Sequence, residues 1–309
     1  MTKLYTYASA LVNYKEILAV ITVACIAYFW KGRYARGSDL SQRQNWTVAH
    51  VAILITLLDL AVASLYFLLH FLGGSSFLPY AITSLMGLWV GMNILGLACF
   101  FSYVGQPLST AGFSRESWAS LGLLGLRMAL IAIFIGCVAM GLYSFLAPSF
   151  YDETVSSNTQ TYFEPNGSLR PLGFLMLEQV LWVAIVLLEE INYRGLFYGA
   201  LRKQMAPLPA RFLSAAAFMV GHGWVQPFPF AMGWVTAYLR EKYQSLIPGI
   251  VLHLAWNVSM DIGGLTIRGM GLSAPPFYLS AAALTGLVYV AVNWNSGLWK
   301  WERADPIQK

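Results

Sequence analysis

Two carboxylates and a guanidinium interrupt an otherwise apolar stretch, Leu188-Glu189-Glu190-Ile191-Asn192-Tyr193-Arg194-Gly195. Placing an ionisable side chain at a bilayer centre costs about 2.5–3.5 kcal/mol on insertion scales, so such groups turn inward, pair and mark function. Glu190 and Arg194 are four apart, share a helix face and are expected to form an ion pair. Glu189 points about 100° away, toward a different neighbour. That separates two roles: one carboxylate neutralised by Arg194, the other suited to general-base work. The bland alternative is a buried ion pair that fixes helix packing.

Two further polar constellations lie downstream. Phe218-Met219-Val220-Gly221-His222-Gly223 puts Phe218 and His222 on one face, with glycines that admit a close backbone or a substrate. His222 is then either a hydrogen-bonded packing residue or a base. In His253-Leu254-Ala255-Trp256-Asn257, His253 and Asn257 share a face. Both can donate hydrogen bonds to one oxygen, as an oxyanion hole requires where helical amides are already used. The alternative is interhelical hydrogen bonding, worth about 0.6 kcal/mol on average in membranes. Weaker candidates are Glu178, three turns before Glu189, together with His50, Asp59, His70 and Arg127. Asp59 and Arg127 are expected to form a structural ion pair.

The elements that must position these residues are apolar helices. Of the 309 residues 58% are hydrophobic and 11% charged, against about 25% charged in a soluble domain. The mean hydropathy is +0.59. The fold class expected is an all-α, polytopic transmembrane bundle of eight or nine spans. The nine are 17–30, 46–72, 77–104, 118–147, 173–201, 210–225, 228–239, 246–265 and 277–298, long apolar runs of the kind that cross a bilayer. The first and seventh are short enough to be tilted, re-entrant or interfacial. Residues 148–172 form an acidic, polar loop with Asp152, Glu153 and Glu164.

Thirteen of the 19 Lys and Arg residues fall in loops that nine spans put on one side, against Lys3, Lys15, Arg170 and Arg268 on the other. The positive-inside rule then makes the C-terminus cytoplasmic and the 148–172 loop external. The same rule explains the net charge of +5 without a nucleic-acid partner. Cys25, Cys99 and Cys137 sit unpaired in apolar runs and are expected to be packing residues. No cleavable signal peptide is expected. With this depth assignment Glu189, His253 and Asn257 fall in the middle to cytoplasmic half of the bilayer, and His222 somewhat further out.

The ordered set Glu189-Glu190-x-x-x-Arg194, Phe218-x-x-x-His222 and His253-x-x-x-Asn257 resembles the CAAX protease and bacteriocin-processing family of intramembrane proteases. Tyr193-Arg194-Gly195-Leu196 is similar to the family's extension of the first motif, with Tyr193 in place of Phe. The resemblance divides the chain into three parts. Residues 1–172 are N-terminal spans and outer loop without a signature. Residues 173–265 form a catalytic helical core, and 266–309 the last span and tail.

The resemblance implies that Glu189 activates a water, His222 positions or deprotonates it, and His253 with Asn257 holds the oxyanion. Glu190, Arg194 and Phe218 would support them. It implies no cofactor. Two His and two Glu have the chemistry to ligate zinc, but no His-Glu-x-x-His pattern is present, and a metal-independent glutamate mechanism is favoured. The substrate implied is a membrane-anchored protein or peptide cut near its C-terminal or anchoring tail. The lipid bilayer is the surrounding partner, and a prokaryotic inner membrane is the expected location. Substrate identity and oligomeric state are not encoded in these motifs. Two rival readings use the same residues: a proton-coupled transporter, and a silent scaffold or immunity protein.

Overall fold

The computed structural model describes Val51, Ile55, 86–98, 111–113, 118–149, Tyr162, 170–222 and 227–294. Among the described residues every regular element is helical. In hydrocarbon this is forced, because backbone N–H and C=O groups have no water to bond and a helix satisfies them within one segment. The helices are α1 (Met86–Ala98), α2 (Trp118–Leu146), α3 (Leu172–Glu189), a π-helix (Glu190–Phe197), α4 (Tyr198–Arg202), α5 (Pro207–Gly221), α6 (Pro227–Tyr243), α7 (Ile247–Met270) and α8 (Ala274–Trp294).

Among the described residues four helices are long and apolar enough to cross a membrane: Trp118–Leu146, Leu172–Arg202, Ile247–Met270 and Ala274–Asn293. These coincide with the fourth, fifth, eighth and ninth expected spans. The sixth differs. It was expected over 210–225, but α5 has 15 residues and ends at Gly221, leaving His222 at its C-cap. With α6 at 17 residues, both fall short of the roughly 20 that a perpendicular crossing takes. The first expected span and most of the second and third lie outside the described residues, so the total of eight or nine is not established.

The chain divides into two units. One comprises 115–179 and 247–309, and so contains α2, the start of α3, α7 and α8. Its side chains are arranged inside out. The buried residues of α2 are Gly125, Ala129, Gly136, Cys137, Gly141 and Ser144. Its large residues Leu123, Leu126, Phe134, Ile135, Leu142 and Phe145 are exposed. Small residues let helix backbones approach where lipid removes the hydrophobic drive to associate, and α2 uses them against α7 and α8. A Cβ at Gly125 would lie 2.7 Å from the Pro248 carbonyl oxygen. Gly136 faces the indole of Trp256, which stands between His253 and Asn257. Cys137 packs with Ile267, Tyr278 and Ala282, as expected for a packing cysteine.

This packing has a direct consequence. Gly136→Leu must displace Trp256 and is expected to destabilise the protein by about 1–3 kcal/mol. Gly122→Leu, on the same helix but with nothing within 4 Å of its Cβ position, is expected to stay within about 0.5 kcal/mol of wild type. Thermal unfolding in detergent micelles compares the two.

The other unit comprises 1–114 and 180–246 and contains α1, the rest of α3, the π-helix, α4, α5 and α6. Here α5 packs on α6, and Gly233 leaves no room for a Cβ beside Ala215 Cα, 2.9 Å away. Both helices also contact the π-helix.

Candidate active site

In the 180–246 unit the first motif is not α-helical. From Glu190 to Phe197 the backbone winds as a π-helix, and the Tyr198 N–H donates to the Tyr193 carbonyl, five residues back. Such turns recur at functional sites because the wider winding redirects side chains that an α-helix would stack. Two polar anchors hold it. Ser214 Oγ donates to the same Tyr193 carbonyl at 3.0 Å. Asn192 Nδ2 donates to Asn93 Oδ1 at 2.8 Å, and Asn93 Nδ2 donates to the Trp89 carbonyl at 2.9 Å. Sequence reasoning missed both Ser214 and Asn93. An Asn inside the apolar run 86–98 was the available signal for the second.

The two glutamates occupy different environments. Glu190 is fully buried, whereas Glu189 is half-buried at the end of α3. The expected ion pair is present, with Arg194 Nη1 3.3 Å from Glu190 Oε1 and both side chains out of contact with solvent. Arg194 also feels the Glu189 carboxylate electrostatically, so both carboxylates act on it while differing in exposure.

Phe218 ties the first two motifs together. Its ring centroid lies 3.9 Å from the Arg194 guanidinium carbon, a desolvated cation–π contact of the stronger kind. The same ring meets Tyr193 edge-on at 5.3 Å and His222 edge-on at 4.4 Å. The aromatic residue four before the histidine thus carries the arginine over its face and meets the tyrosine and imidazole edge-on.

His222 is exposed at the C-cap of α5, with Nδ1 2.9 Å from the Phe218 carbonyl oxygen. A carbonyl only accepts, so Nδ1 carries the proton. In the neutral ring Nε2 is then the basic nitrogen. Tyr193 places its hydroxyl where a Cβ of Gly221 would sit, 2.5 Å away, which accounts for the glycine before the histidine.

In the 115–179 and 247–309 unit the third motif lies on α7. His253 is buried and Asn257 half-buried, one turn apart on one face. Their helix is wedged by α2 at Gly125 and Gly136. Glu178 is buried close to Tyr162. Arg127 lies on α2 with its Nε buried. His50, Asp59 and His70, and with them the expected Asp59–Arg127 pair, lie outside the described residues. Among the described residues no three His, Cys, Asp or Glu side chains converge as a metal site requires.

Residues 171–259 match the family model described as type II CAAX prenyl endopeptidase Rce1-like. This stretch is similar to the Rce1-like family. It opens at the start of α3, closes two residues after Asn257, and contains all three motifs. The resemblance read from those motifs is thereby borne out for this part of the chain, which is under a third of its length. Among curated proteins and among solved structures, none matches the chain. The spanning helices make the chain an integral membrane protein.

Proposed function

We propose that the protein is an intramembrane endopeptidase that cuts a peptide bond near the C-terminal or membrane-anchoring tail of a protein or peptide. One observation carries the reading: Glu189, His222, His253 and Asn257 all fall inside the Rce1-like match. The half-buried Glu189 takes a proton from a water. The water oxygen bonds to the scissile carbonyl carbon. His253 and Asn257 donate hydrogen bonds to the oxygen as it becomes negative, the preorganised contribution that usually dominates acyl transfer. The C–N bond then breaks, and the proton held by Glu189 passes to the departing amine. His222, with Nε2 basic, accepts a hydrogen bond from the water and aims it. Glu190, Arg194 and Phe218 hold the first two motifs in register. The location that fits is a prokaryotic inner membrane with the C-terminus cytoplasmic.

The mechanism uses no metal. Exhaustive treatment of the reconstituted protein with a zinc chelator is expected to leave the cleavage rate unchanged. A loss reversed by added Zn²⁺ would reassign Glu189 and the histidines as ligands.

The deciding experiment compares the C-termini of membrane proteins in cells carrying the wild-type protein with those carrying Glu189→Ala at equal expression. A small set of truncated C-termini present only with the wild type is the expected result, and those termini name the substrates. Unchanged termini alongside an altered proton-coupled flux would instead support transport.

A further inference from the structure

His253 and Asn257 continue along α7 to Asp261, so the three stand four residues apart on one stripe. Successive members are about 6 Å apart along the axis and lie within an arc of about 80°. Asp261 is half-buried in a spanning helix whose adjacent Val258 and Ile262 are exposed. A carboxylate there must be satisfied by specific partners. It has two. Tyr162 Oη donates to Asp261 Oδ2 at 2.8 Å. The Gln179 side chain also hydrogen-bonds Asp261, and its Nε2 donates to Tyr162 Oη at 3.4 Å. Gln179 belongs to α3, the helix that ends in Glu189.

Tyr162 is itself held. It is buried, and its carbonyl accepts the Arg170 N–H at 3.0 Å. Arg170 is buried with its guanidinium over the Phe174 ring, 4.8 Å from the centroid. Burial, with the Asp261 and Glu178 carboxylates nearby, pushes the phenol above its ordinary range. Tyr162 is therefore a permanent donor. The hydrogen bond also requires Tyr162 and the C-terminal half of α7 to lie on one side of the membrane.

We propose that Tyr162, Asp261 and Gln179 are positioning residues that set the rotation of α7, and with it the direction in which His253 and Asn257 donate. α2 wedges α7 at Pro248, Val251 and Trp256, Ile267 packs against Cys137 and Tyr278 further on, and between them Tyr162 and Gln179 hold Asp261 by hydrogen bonds. Oxyanion donors tolerate errors of only about 0.5 Å and 10–20°, so directional hydrogen bonds one turn beyond Asn257 fix a rotation that non-directional apolar packing leaves loose. The inference rests on the protease reading for its kinetic test but not for its structural one.

Tyr162→Phe removes one hydroxyl and keeps the shape. In liposomes its kcat on a tail peptide is expected to fall about 10-fold with KM within about twofold, since misplacement far from the chemistry costs rate rather than binding. In an Asn257→Ala background the same substitution is expected to cost less than about twofold, because its route of action is already gone. Asp261→Asn, which still accepts from Tyr162, retains most of the rate, whereas Asp261→Leu does not. An unchanged kcat for Tyr162→Phe, or losses that simply multiply with Asn257→Ala, overturns the inference. Hydrogen exchange separates this from failure of the protease reading. If wild-type protein cleaves no tail peptide, the protease reading falls. The amides of 253–261 then decide alone, exchanging at least about fivefold faster in Tyr162→Phe if the inference holds and at the wild-type rate if it does not.

Discussion

Glu189→Gln protein reconstituted in liposomes is expected to cleave a tail peptide about 10³–10⁴-fold more slowly than wild type, with peptide affinity within a few-fold, the upper part of the range for losing a general base. Glutamine keeps the size and the hydrogen-bonding edge of the side chain and loses the ability to take a proton. The environment makes the substitution clean. Glu189 is half-buried at the end of α3, while the fully buried carboxylate that faces Arg194 at 3.3 Å is Glu190. Unfolding of Glu189→Gln should therefore stay close to wild type. Single-turnover rates and melting in the same detergent check both halves. If Glu189→Gln keeps more than a tenth of the rate while a folded Glu190→Gln is inactive, the two glutamates exchange roles.

Arg194→Leu is expected to cost about 3–5 kcal/mol of stability, the range for breaking one side of a buried pair. That is a large share of the about 5–15 kcal/mol that holds a typical fold together. The guanidinium has no exposed surface, pairs with Glu190 and lies 3.9 Å from the Phe218 ring centroid. Leucine removes the counter-charge from a carboxylate with no exposed surface and the cation from the ring that also seats Tyr193 and His222. Arg194→Lys should recover little, because a point charge on a flexible stem does not reproduce a flat cation over an aromatic face. Glu190→Leu with Arg194→Leu should be more stable than either single variant, since neither charge is then left buried alone. Denaturant unfolding in micelles gives the order. A single variant as stable as wild type would show that the pair does not hold the motif.

The two predictions differ in how far they were legible in the chain. The Glu190–Arg194 contact followed from i,i+4 spacing alone, and the structure has it. The π winding around it did not, because the same spacing fits an α-helix. Ser214 on the Tyr193 carbonyl and Asn93 on Asn192 decide it, and both come from other helices. Likewise Gly221-His222-Gly223 looked like the interior of a span, but α5 stops at Gly221 and the Phe218 carbonyl accepts a hydrogen bond from the imidazole Nδ1–H. Asn192–Asn93 and Tyr162–Asp261 each join residues 99 apart, a separation at which no periodicity carries information.

By itself the sequence determined the local and periodic properties of this protein. Those are its membrane embedding, its helical segments, the order of its three motifs, and the side chains that share a face at four-residue spacing, because each depends on neighbours within a turn or on composition along a run. Only the tertiary structure decided how completely the Glu190–Arg194 pair is sealed from solvent, that the first motif winds as a π-helix, and what steadies α7 on its two flanks. Those depend on which helices meet and how closely. In a bilayer that is set by where small residues let backbones approach and where isolated polar groups find one another, and both are facts about pairs of distant segments.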